Sequence, residues 1–328
     1  ASGYIAAHIL KLLLRRGHSV TVTVRSDDKA SKLRNALSIP HIDYRVVKDV
    51  AEPGAFDDAL KIEGLEVVIH TASPFQLNIN DVRKDLLDPA INGTKGILAA
   101  IKKNAPSVKK VIITSSFAAI VDMNKPLNDP SVIYTEKCWN SITEDQALMN
   151  PFFGYQASKT FAEKAAWDFV EREKPKFTLT TINPPYVFGP PVKNFSSLEN
   201  VNTSNQIIRD LILGKYRNGN LDETPMLWVD VRDVAIAHIK AIELDKAANK
   251  RLFIATGSYT NREITEIIRK CFTEFAPLLP APDMDHTDMK SFGYDNSMTT
   301  RILGKTLYTI DQSIIDTVQS LQPISARL

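Results

Sequence analysis

Val111–Ser116, with the sequence VIITSS, joins three β-branched apolar residues to three hydroxyl side chains. A short apolar run of this kind predicts a buried β-strand that ends in polar groups. Further apolar runs predict strands at residues 20–24, 44–47, 67–69 and 177–182. Segments rich in helix formers predict helices between them, at residues 28–38, 56–60 and 86–103. Such alternation favours a parallel sheet covered on both faces, so we predict an α/β, doubly wound fold.

The amino-acid composition changes in the second half of the sequence. Residues 185–226 are rich in proline, asparagine and serine, and residues 256–306 are again irregular, whereas 227–255 contain a further predicted strand and helix. We therefore predict a Rossmann-type dinucleotide-binding domain at residues 1–184, to which 227–255 and 307–322 return. Residues 185–226 and 256–306 are expected to form a smaller, discontinuous C-terminal lobe that binds the substrate over the carboxyl ends of the strands.

The composition of the 328 residues, 44% hydrophobic and 24% charged, is ordinary for a globular enzyme. A net charge of +2 without a basic run predicts no nucleic-acid partner, and no apolar stretch approaches the ~18 residues of a membrane span. Two cysteines offer no disulfide framework, which suits a reducing compartment, so we expect a cytoplasmic protein. The six histidines lack the spacing of metal ligands, and no metal site is predicted.

Tyr155 and Lys159 stand four residues apart in a segment rich in helix formers, so they should share one face of a helix. An ammonium group there favours the phenolate and is expected to lower the pKa of the tyrosine toward a range useful for proton transfer. A hydroxyl such as that of Ser116 could hold a carbonyl oxygen nearby. Tyr44 and Lys48 repeat the spacing, but in a predicted strand, where the two side chains start roughly 13 Å apart. The first pair therefore indicates proton exchange with an oxygen whose carbon exchanges hydride.

Gly3 comes directly before the first predicted helix, where dinucleotide-binding folds place a pyrophosphate. Arg25 stands at the end of the following strand, with Lys29 four residues on. An NAD-dependent enzyme usually carries an acidic residue there for the ribose 2′-hydroxyl. Cationic side chains suit a 2′-phosphate instead, so we predict NADPH (NADP+) as the cofactor. The alternative is that both are ordinary surface cations.

Together these motifs resemble the extended short-chain dehydrogenase/reductases. Within that family the chain is similar to the dihydroflavonol-reductase-like branch, and especially to fungal NADPH-dependent carbonyl reductases that act on methylglyoxal and 3-methylbutanal. The segments that carry the resemblance are residues 1–6, 25–26, 70–75, 92–94, 114–116, 155–159, 183–190 and 229–235. The family's first strand and its earlier glycines are absent, with only Gly3 remaining, so we expect that about ten residues precede Ala1 in the natural protein.

The resemblance implies roles for individual residues. Ser116 would orient the substrate carbonyl, Tyr155 would donate the proton, and Lys159 would bind the nicotinamide ribose and tune Tyr155. The implied cofactor-binding residues are Gly3, Tyr4, Ile5, Arg25, Lys29, Asp49, Val50, Thr71, Ala72, Ser73, Pro184 and Val187. Phe75, Phe117 and Tyr186 would wall the substrate pocket, although these aromatic residues could equally belong to the core.

The predicted function is NADPH-dependent reduction of aldehydes and ketones to alcohols. The expected partner is a small-molecule carbonyl substrate, and the expected protein is a monomer or homodimer. Two alternatives stay open. A nucleotide-sugar epimerase or dehydratase with bound NAD uses the same tyrosine–lysine pair, although Arg25 argues against it. A non-catalytic NAD(P)-sensing protein would keep the fold, but such proteins can lose the catalytic pair, which is intact here.

Overall fold

The computed structural model describes residues 3–72, 79–192, 198, 201–219, 221–282 and 290–325. Its strands are β1 (Thr21–Val24), β2 (Asp43–Val46), β3 (Val67–His70), β4 (Lys110–Thr114), β5 (Ile133–Thr135), β6 (Thr178–Asn183), β7 (Tyr186–Phe188), β8 (Met226–Asp230), β9 (Lys250–Phe253), β10 (Gly257–Tyr259) and β11 (Gly293–Asp295). Its α-helices are α1 (Tyr4–Arg15), α2 (Asp27–Leu37), α3 (Asp88–Asn104), α4 (Glu144–Ala147), α5 (Pro151–Glu173), α6 (Gln206–Ile212), α7 (Val231–Glu243), α8 (Asn261–Cys271), α9 (Ser297–Leu303) and α10 (Ile310–Ser325). A π-helical turn, Arg83–Leu87, leads into α3, and 3₁₀ turns lie at Phe117–Ala119, Thr203–Asn205, Asp245–Ala247 and Thr273–Leu278.

The central sheet consists of four parallel strands in the order β3-β4-β6-β9. In β4, Val111 and Ile113 pack with residues of α3 and α5 on one face of the sheet. Ile112 packs on the other face, with residues of α7 and with Ile5 of α1. Both faces are therefore covered by helices, which explains why the strand is apolar at successive positions and confirms the predicted α/β, doubly wound fold.

β1 and β2 form a separate parallel pair beside this sheet. A cavity of about 530 Å³ lies between β1 and β3 and is lined largely by apolar residues of both strands and of α1. α1 links the two pieces, because Leu10 packs with β1 whereas Ile9 packs with α7. α1 therefore packs against both β1 and α7.

A second core lies in the C-terminal half of the chain. β8 pairs in parallel with β7 and antiparallel with β10. Apolar residues of α6, α8 and α10 pack with Phe188, Trp228 and Tyr259 from this sheet. The division of the chain into two lobes stays a prediction. Segment 307–322 includes most of α10, whose contacts with α8 and α6 favour placing this helix with the second core instead of the dinucleotide-binding domain.

The short helix predicted at residues 56–60 is wrong. Residues 51–60 form turns, in which Asp57 N donates to Gly54 O and Leu60 N donates to Phe56 O. Gly54 has a φ of +74°, a left-handed conformation that does not continue a right-handed helix. Phe56 and Leu60 are nevertheless buried in the same core as β3. The apolar pattern therefore indicates burial correctly but not the backbone conformation.

Neither a membrane span nor a metal cluster is found in the residues that the structure describes. No helix in those ranges is long and apolar enough to cross a bilayer, and no three His, Cys, Asp or Glu side chains there are grouped as metal ligands.

Candidate active site

Polar side chains gather where β4 and β6 end. Ser116 is the second residue after β4, and Asn183 is the last residue of β6. A backbone hydrogen bond joins the two ends, because Ser115 N donates to Ile182 O at 2.8 Å. In open α/β sheets, ligands bind outside the carboxyl ends of the strands. This edge of the sheet is therefore the candidate site.

α5 brings Tyr155 and Lys159 to this edge. The helix begins after Asn150, whose Oδ1 accepts a hydrogen bond from Phe153 N at 2.9 Å, and Pro151 occupies its first position. Both features fix the start of the helix about one turn before Tyr155. The Nζ atom of Lys159 lies 5.8 Å from the centre of the Tyr155 ring. The structure thus brings the predicted pair together on one helical face.

The hydroxyl of Ser116 lies near that of Tyr155, close enough to lower the pKa of the phenol. Ala118 N donates to Ser116 Oγ at 3.1 Å, so the hydroxyl of Ser116 keeps its own proton to donate. A hydrogen bond donated to the phenol oxygen favours the phenolate. Ser116, Tyr155 and Lys159 therefore lie in one group, and their catalytic roles stay predictions.

The pKa of Tyr155 departs from the sequence prediction. Burial raises this pKa above its ordinary value, the hydrogen bond with Ser116 lowers it, and the interaction with Tyr186 raises it further. The predicted lowering by Lys159 is not found in the protein alone. The same burial disfavours the lysine ammonium and lowers the pKa of Lys159 from 10.5 to about 8. Tyr155 therefore keeps its proton at neutral pH.

Gly154 lets α5 approach the π-helical turn before α3. A Cβ at this position would lie 2.5 Å from Val82 Cγ1 and 3.2 Å from Leu86 Cδ1, and Leu86 is fully buried. We expect Gly154→Ala to lower the free energy of unfolding by about 1–3 kcal/mol, and to lower kcat because Tyr155 is the next residue. Urea unfolding and turnover measure the two effects. Gly96→Ala in α3 is the control, since its Cβ meets no described atom within 4 Å; equal stability of the two variants would contradict this account.

The N-terminus of α1 offers open space and backbone N–H groups. Gly3 is the N-cap residue, no side chain caps the helix, and its first turn contains no acidic residue. A Cβ on Gly3 would meet no described atom within 4 Å. Such a helix end fits the pyrophosphate of a dinucleotide, because its N–H groups and its dipole attract negative charge.

Arg25 and Lys29 are both exposed beyond the carboxyl end of β1. Arg25 directly follows the strand, and Lys29 lies in the first turn of α2. Ser26 caps this helix, since its Oγ accepts a hydrogen bond from Lys29 N at 3.3 Å. Two exposed cations at this strand end fit a 2′-phosphate, so the residues present fit NADPH.

Four other residues with a predicted cofactor role lie at strand ends. They are Asp49 and Val50 after β2, and Thr71 and Ala72 after β3. Asp49 Oδ1 accepts a hydrogen bond from Ala51 N at 2.9 Å, which orders the turn beyond β2. Ser73, predicted to bind the cofactor, and Phe75, predicted to wall the pocket, lie outside the described residues. Of the four described residues, Thr71 and Ala72 follow β3, the neighbour of β4 in the central sheet. The cofactor roles of all four stay predictions.

The remaining residues with a predicted cofactor role are held by contacts within the protein. Tyr4 OH donates to Gly189 O at 2.6 Å. Val187 is buried in the core beneath the site, against which Ile5 also packs, and Pro184 is buried as well. These contacts show that the residues have a structural role, and their roles in cofactor binding stay predictions.

The aromatic residues near the site separate into two environments. Phe117 is buried, and its ring stacks on that of Phe253 with centres 5.1 Å apart, so its packing favours the core alternative. Tyr186 is 41% exposed, and it interacts with the hydroxyl of Tyr155. The ring of Tyr259 lies 5.9 Å from that of Tyr186. No sequence motif indicates Tyr259, because this contact depends on the pairing of β10 with β8.

Two more polar residues adjoin the catalytic group without a role predicted from the sequence. Asn183 Nδ2 lies 3.1 Å from the carbonyl oxygen of Ser116 and 2.6 Å from Glu163 Oε2. Glu163 follows Lys159 by four residues, so helical spacing could have placed it on the same face. Its partners on other elements carry no such signal in the sequence.

Comparison with known proteins supports the assignment of this chain to a family. The sequence model of the NAD dependent epimerase/dehydratase family matches residues 1–255. The chain is 45% identical over 326 residues to the ketoreductase azaE of Aspergillus niger, a match that covers 98% of this chain and 95% of that protein. It is 43% identical over 330 residues to the putative NADPH-dependent methylglyoxal reductase GRP2 of Candida albicans, with 98% and 96% covered.

A solved structure agrees with these sequence relationships. The yeast methylglyoxal/isovaleraldehyde reductase Gre2, complexed with NADPH, is similar to this chain with a TM-score of 0.93 and 36% identity. The similarity covers 100% of this chain and 98% of that one. The chain therefore belongs to the NAD dependent epimerase/dehydratase family of extended short-chain dehydrogenase/reductases, as its motifs predict.

Proposed function

We propose that this protein reduces aldehydes and ketones to alcohols with NADPH. The observation that carries the proposal is the grouping of Ser116, Tyr155 and Lys159 at the carboxyl edge of the sheet, where Lys159 Nζ lies 5.8 Å from the centre of the Tyr155 ring. The names of two relatives, a ketoreductase and a putative NADPH-dependent methylglyoxal reductase, favour the same chemistry. The NADPH complex of Gre2 favours the same cofactor.

When bound, NADPH supplies the hydride that reduces the carbonyl carbon. The hydroxyl of Ser116 donates a hydrogen bond to the carbonyl oxygen and holds it beside Tyr155. As negative charge develops on that oxygen, Tyr155 transfers its phenolic proton to it. Because burial raises the pKa of Tyr155, the phenol is protonated at neutral pH, the state in which it can act as an acid. An alkoxide is a much stronger base than a phenolate, so this transfer is favourable.

Lys159 supplies positive charge next to Tyr155 and binds the nicotinamide ribose. Its pKa of about 8 means that the ammonium form predominates at neutral pH. The charge lies one helical turn from the phenol. It does not lower the pKa of Tyr155 in the protein alone, so its stabilisation of the phenolate left after proton transfer belongs to the complex with NADPH. The same residue therefore acts on the cofactor and on the proton donor.

An epimerase with retained NAD is the less well supported alternative. It would use the same tyrosine–lysine pair, but Arg25 stands where an enzyme that prefers NAD usually carries an acidic side chain. The relatives with 43–45% identity are named as reductases. Purified protein that carries tightly bound NAD, or that epimerises a nucleotide sugar, would favour the alternative.

The substrate, the cellular location and the assembly are parts of the same proposal. Tyr186 acts electrostatically on Tyr155, and the ring of Tyr259 lies 5.9 Å from that of Tyr186, so the two rings suit the wall of a pocket for small or aromatic carbonyl compounds. Cys138 and Cys271 are free thiols, which suits the cytoplasm. A monomer or a homodimer is the expected assembly.

The test of the proposed function is consumption of NADPH by the purified protein. A panel of small and aromatic aldehydes and ketones is supplied as substrate, and NADH is run in parallel. We expect turnover with NADPH well above that with NADH. Binding of NADPH without turnover on the whole panel would refute the reductase function and favour a sensing protein.

Replacement of Arg25 tests the origin of the cofactor preference. We expect Arg25→Ala to raise the KM for NADPH by about 10–100-fold and to leave the KM for NADH nearly unchanged, because the lost charge-assisted hydrogen bonds involve only the 2′-phosphate. Steady-state kinetics with both cofactors measure this ratio. Lys32→Ala is the matched control on α2, since Lys32 is exposed and paired with Asp28 at 2.8 Å. An equal effect of Arg25→Ala on the two cofactors would contradict the assignment.

A further inference from the structure

Glu163 is a buried carboxylate on the helix that carries the catalytic pair. It lies on α5 one turn after Lys159 and two turns after Tyr155, and its side chain has no exposed surface. Five donors surround its two oxygens, with the distances 2.5 Å for Ser115 Oγ, 2.6 Å for Asn183 Nδ2, 2.7 Å for Arg251 Nε, 2.9 Å for Thr181 Oγ1 and 3.3 Å for Trp167 Nε1. The two oxygens of a carboxylate can accept from all of these groups together.

Arg251 compensates the buried negative charge. Its guanidinium also donates to Glu136 O at 2.8 Å and to Cys138 O at 2.6 Å, and it stacks 3.6 Å from the centre of the Trp139 ring. Both ions are thus fully engaged, as a buried ion pair must be to offset its desolvation. Removal of the carboxylate alone would leave Arg251 charged and without its counter-ion.

The contacts of Glu163 lead directly to the catalytic serine. Ser115, which donates to Glu163, is the residue before Ser116. Asn183 bridges Glu163 and Ser116, since its Nδ2 group lies within hydrogen-bond distance of the carboxylate and of the Ser116 carbonyl oxygen. One side chain of α5 therefore holds the ends of β4 and β6, whereas Tyr155 projects from the same helix toward the hydroxyl of Ser116.

We propose that Glu163 is a positioning residue. By joining α5 to the ends of β4 and β6, it keeps the hydroxyl of Ser116 next to the hydroxyl of Tyr155. The proposal rests on the proposed reductase function, in which these two hydroxyl groups share the substrate oxygen. The carboxylate touches neither substrate nor cofactor in this scheme. It acts through Ser115 and Asn183, which both donate to Oε2. An amide at position 163 could accept from these two only by turning its NH₂ group toward the guanidinium of Arg251, which is itself a donor.

The experiment compares Glu163→Gln with the native enzyme at a temperature at which both are folded. We expect kcat to fall on the order of 10–100-fold, because small displacements of reacting groups cost this much, whereas the Kd for NADPH stays within about twofold. Asp233→Asn is the matched control. Asp233 is also buried, but its carboxylate accepts from the backbone N–H groups of Leu307 and Tyr308, away from Ser116. If Glu163→Gln and Asp233→Asn lose thermal stability equally and both keep native kcat, the positioning role is refuted.

Ser115→Ala provides a second variant in case Glu163→Gln does not fold. It removes one donor to Glu163 and leaves the ion pair with Arg251 intact. We expect a smaller loss in kcat, about threefold to tenfold, and non-additive losses when Ser115→Ala and Glu163→Gln are combined, because both act through one network. Native kcat in Ser115→Ala, or strictly additive losses in the double variant, would overturn the proposal.

Crystal structures of the native protein and of Ser115→Ala separate this proposal from the proposed function. A longer distance between Ser116 Oγ and Tyr155 Oη in the variant supports positioning, whether or not the native protein reduces any carbonyl compound of the panel. An unchanged distance contradicts positioning even if the native protein is an active reductase.

Discussion

Replacement of Tyr155 by phenylalanine is expected to lower kcat for carbonyl reduction by on the order of 10²–10⁴-fold. The change removes one oxygen and keeps the ring, which lies 5.8 Å from Lys159 Nζ. Proton transfer to the developing alkoxide is then lost, whereas the helix and its packing are kept. We expect the Kd for NADPH to stay within about twofold, because the phenol oxygen is assigned to the substrate. Stopped-flow measurement of hydride transfer and fluorescence titration of NADPH test the two parts.

The chain contains its own control for this experiment. Tyr44 and Lys48 show the same four-residue spacing, but Tyr44 lies on β2 and its hydroxyl donates to Asp27 Oδ1 at 3.0 Å. Tyr44→Phe should therefore leave kcat unchanged. Ser116→Ala should lower kcat, because it removes the hydroxyl that is proposed to hold the substrate oxygen and that lowers the pKa of Tyr155. A native rate of hydride transfer in Tyr155→Phe would exclude Tyr155 as the proton donor.

The central architecture could be predicted because burial imposes a simple pattern on parallel strands. Val111, Ile112 and Ile113 are apolar in succession since the helices on both faces of β4 need apolar partners. The register of β4 with β6 then brings Ser116 and Asn183 to one edge. Tyr155 and Lys159 are local in sequence, so helical spacing alone predicts that they share a face. The fold class and the family are confirmed.

Features that depend on distant contacts could not be predicted in the same way. Glu163 and Arg251 are 88 residues apart, and nothing near either residue indicates that they form an ion pair. Phe117 is an aromatic residue of the kind that often lines a pocket, but it is buried against Phe253 and Phe292, which come much later in the chain. The pKa of Tyr155 shows the same limit, because its direction depends on burial by the whole fold instead of on one neighbouring lysine.

Lys159 should give the reaction a pH dependence of its own. Burial lowers the pKa of Lys159 from 10.5 to about 8 in the protein without cofactor. If the ammonium is needed, kcat/KM for NADPH falls as the pH rises through about 8, because this quantity reports groups of the free enzyme. Lys159→Arg should abolish this decrease in kcat/KM, since a guanidinium stays charged at these pH values. The larger size of arginine is expected to lower the rate at every pH. If kcat/KM of Lys159→Arg still falls as the pH rises through about 8, another group is responsible for the titration.

Lys159→Met is expected to move activity and stability in opposite directions. Turnover should fall on the order of 10²-fold or more, because the phenolate and the cofactor both lose the charge. Stability should rise at neutral pH. The folded pKa of Lys159 lies below the unfolded one, so folding is penalised at pH values below about 8, and the penalty disappears above 10.5. The difference in melting temperature between Lys159→Met and the native protein should therefore be larger at pH ~7 than at pH ~10. A charge that is kept although it destabilises the fold is what a functional lysine requires, and a variant that loses both turnover and stability at neutral pH would point to a structural residue instead.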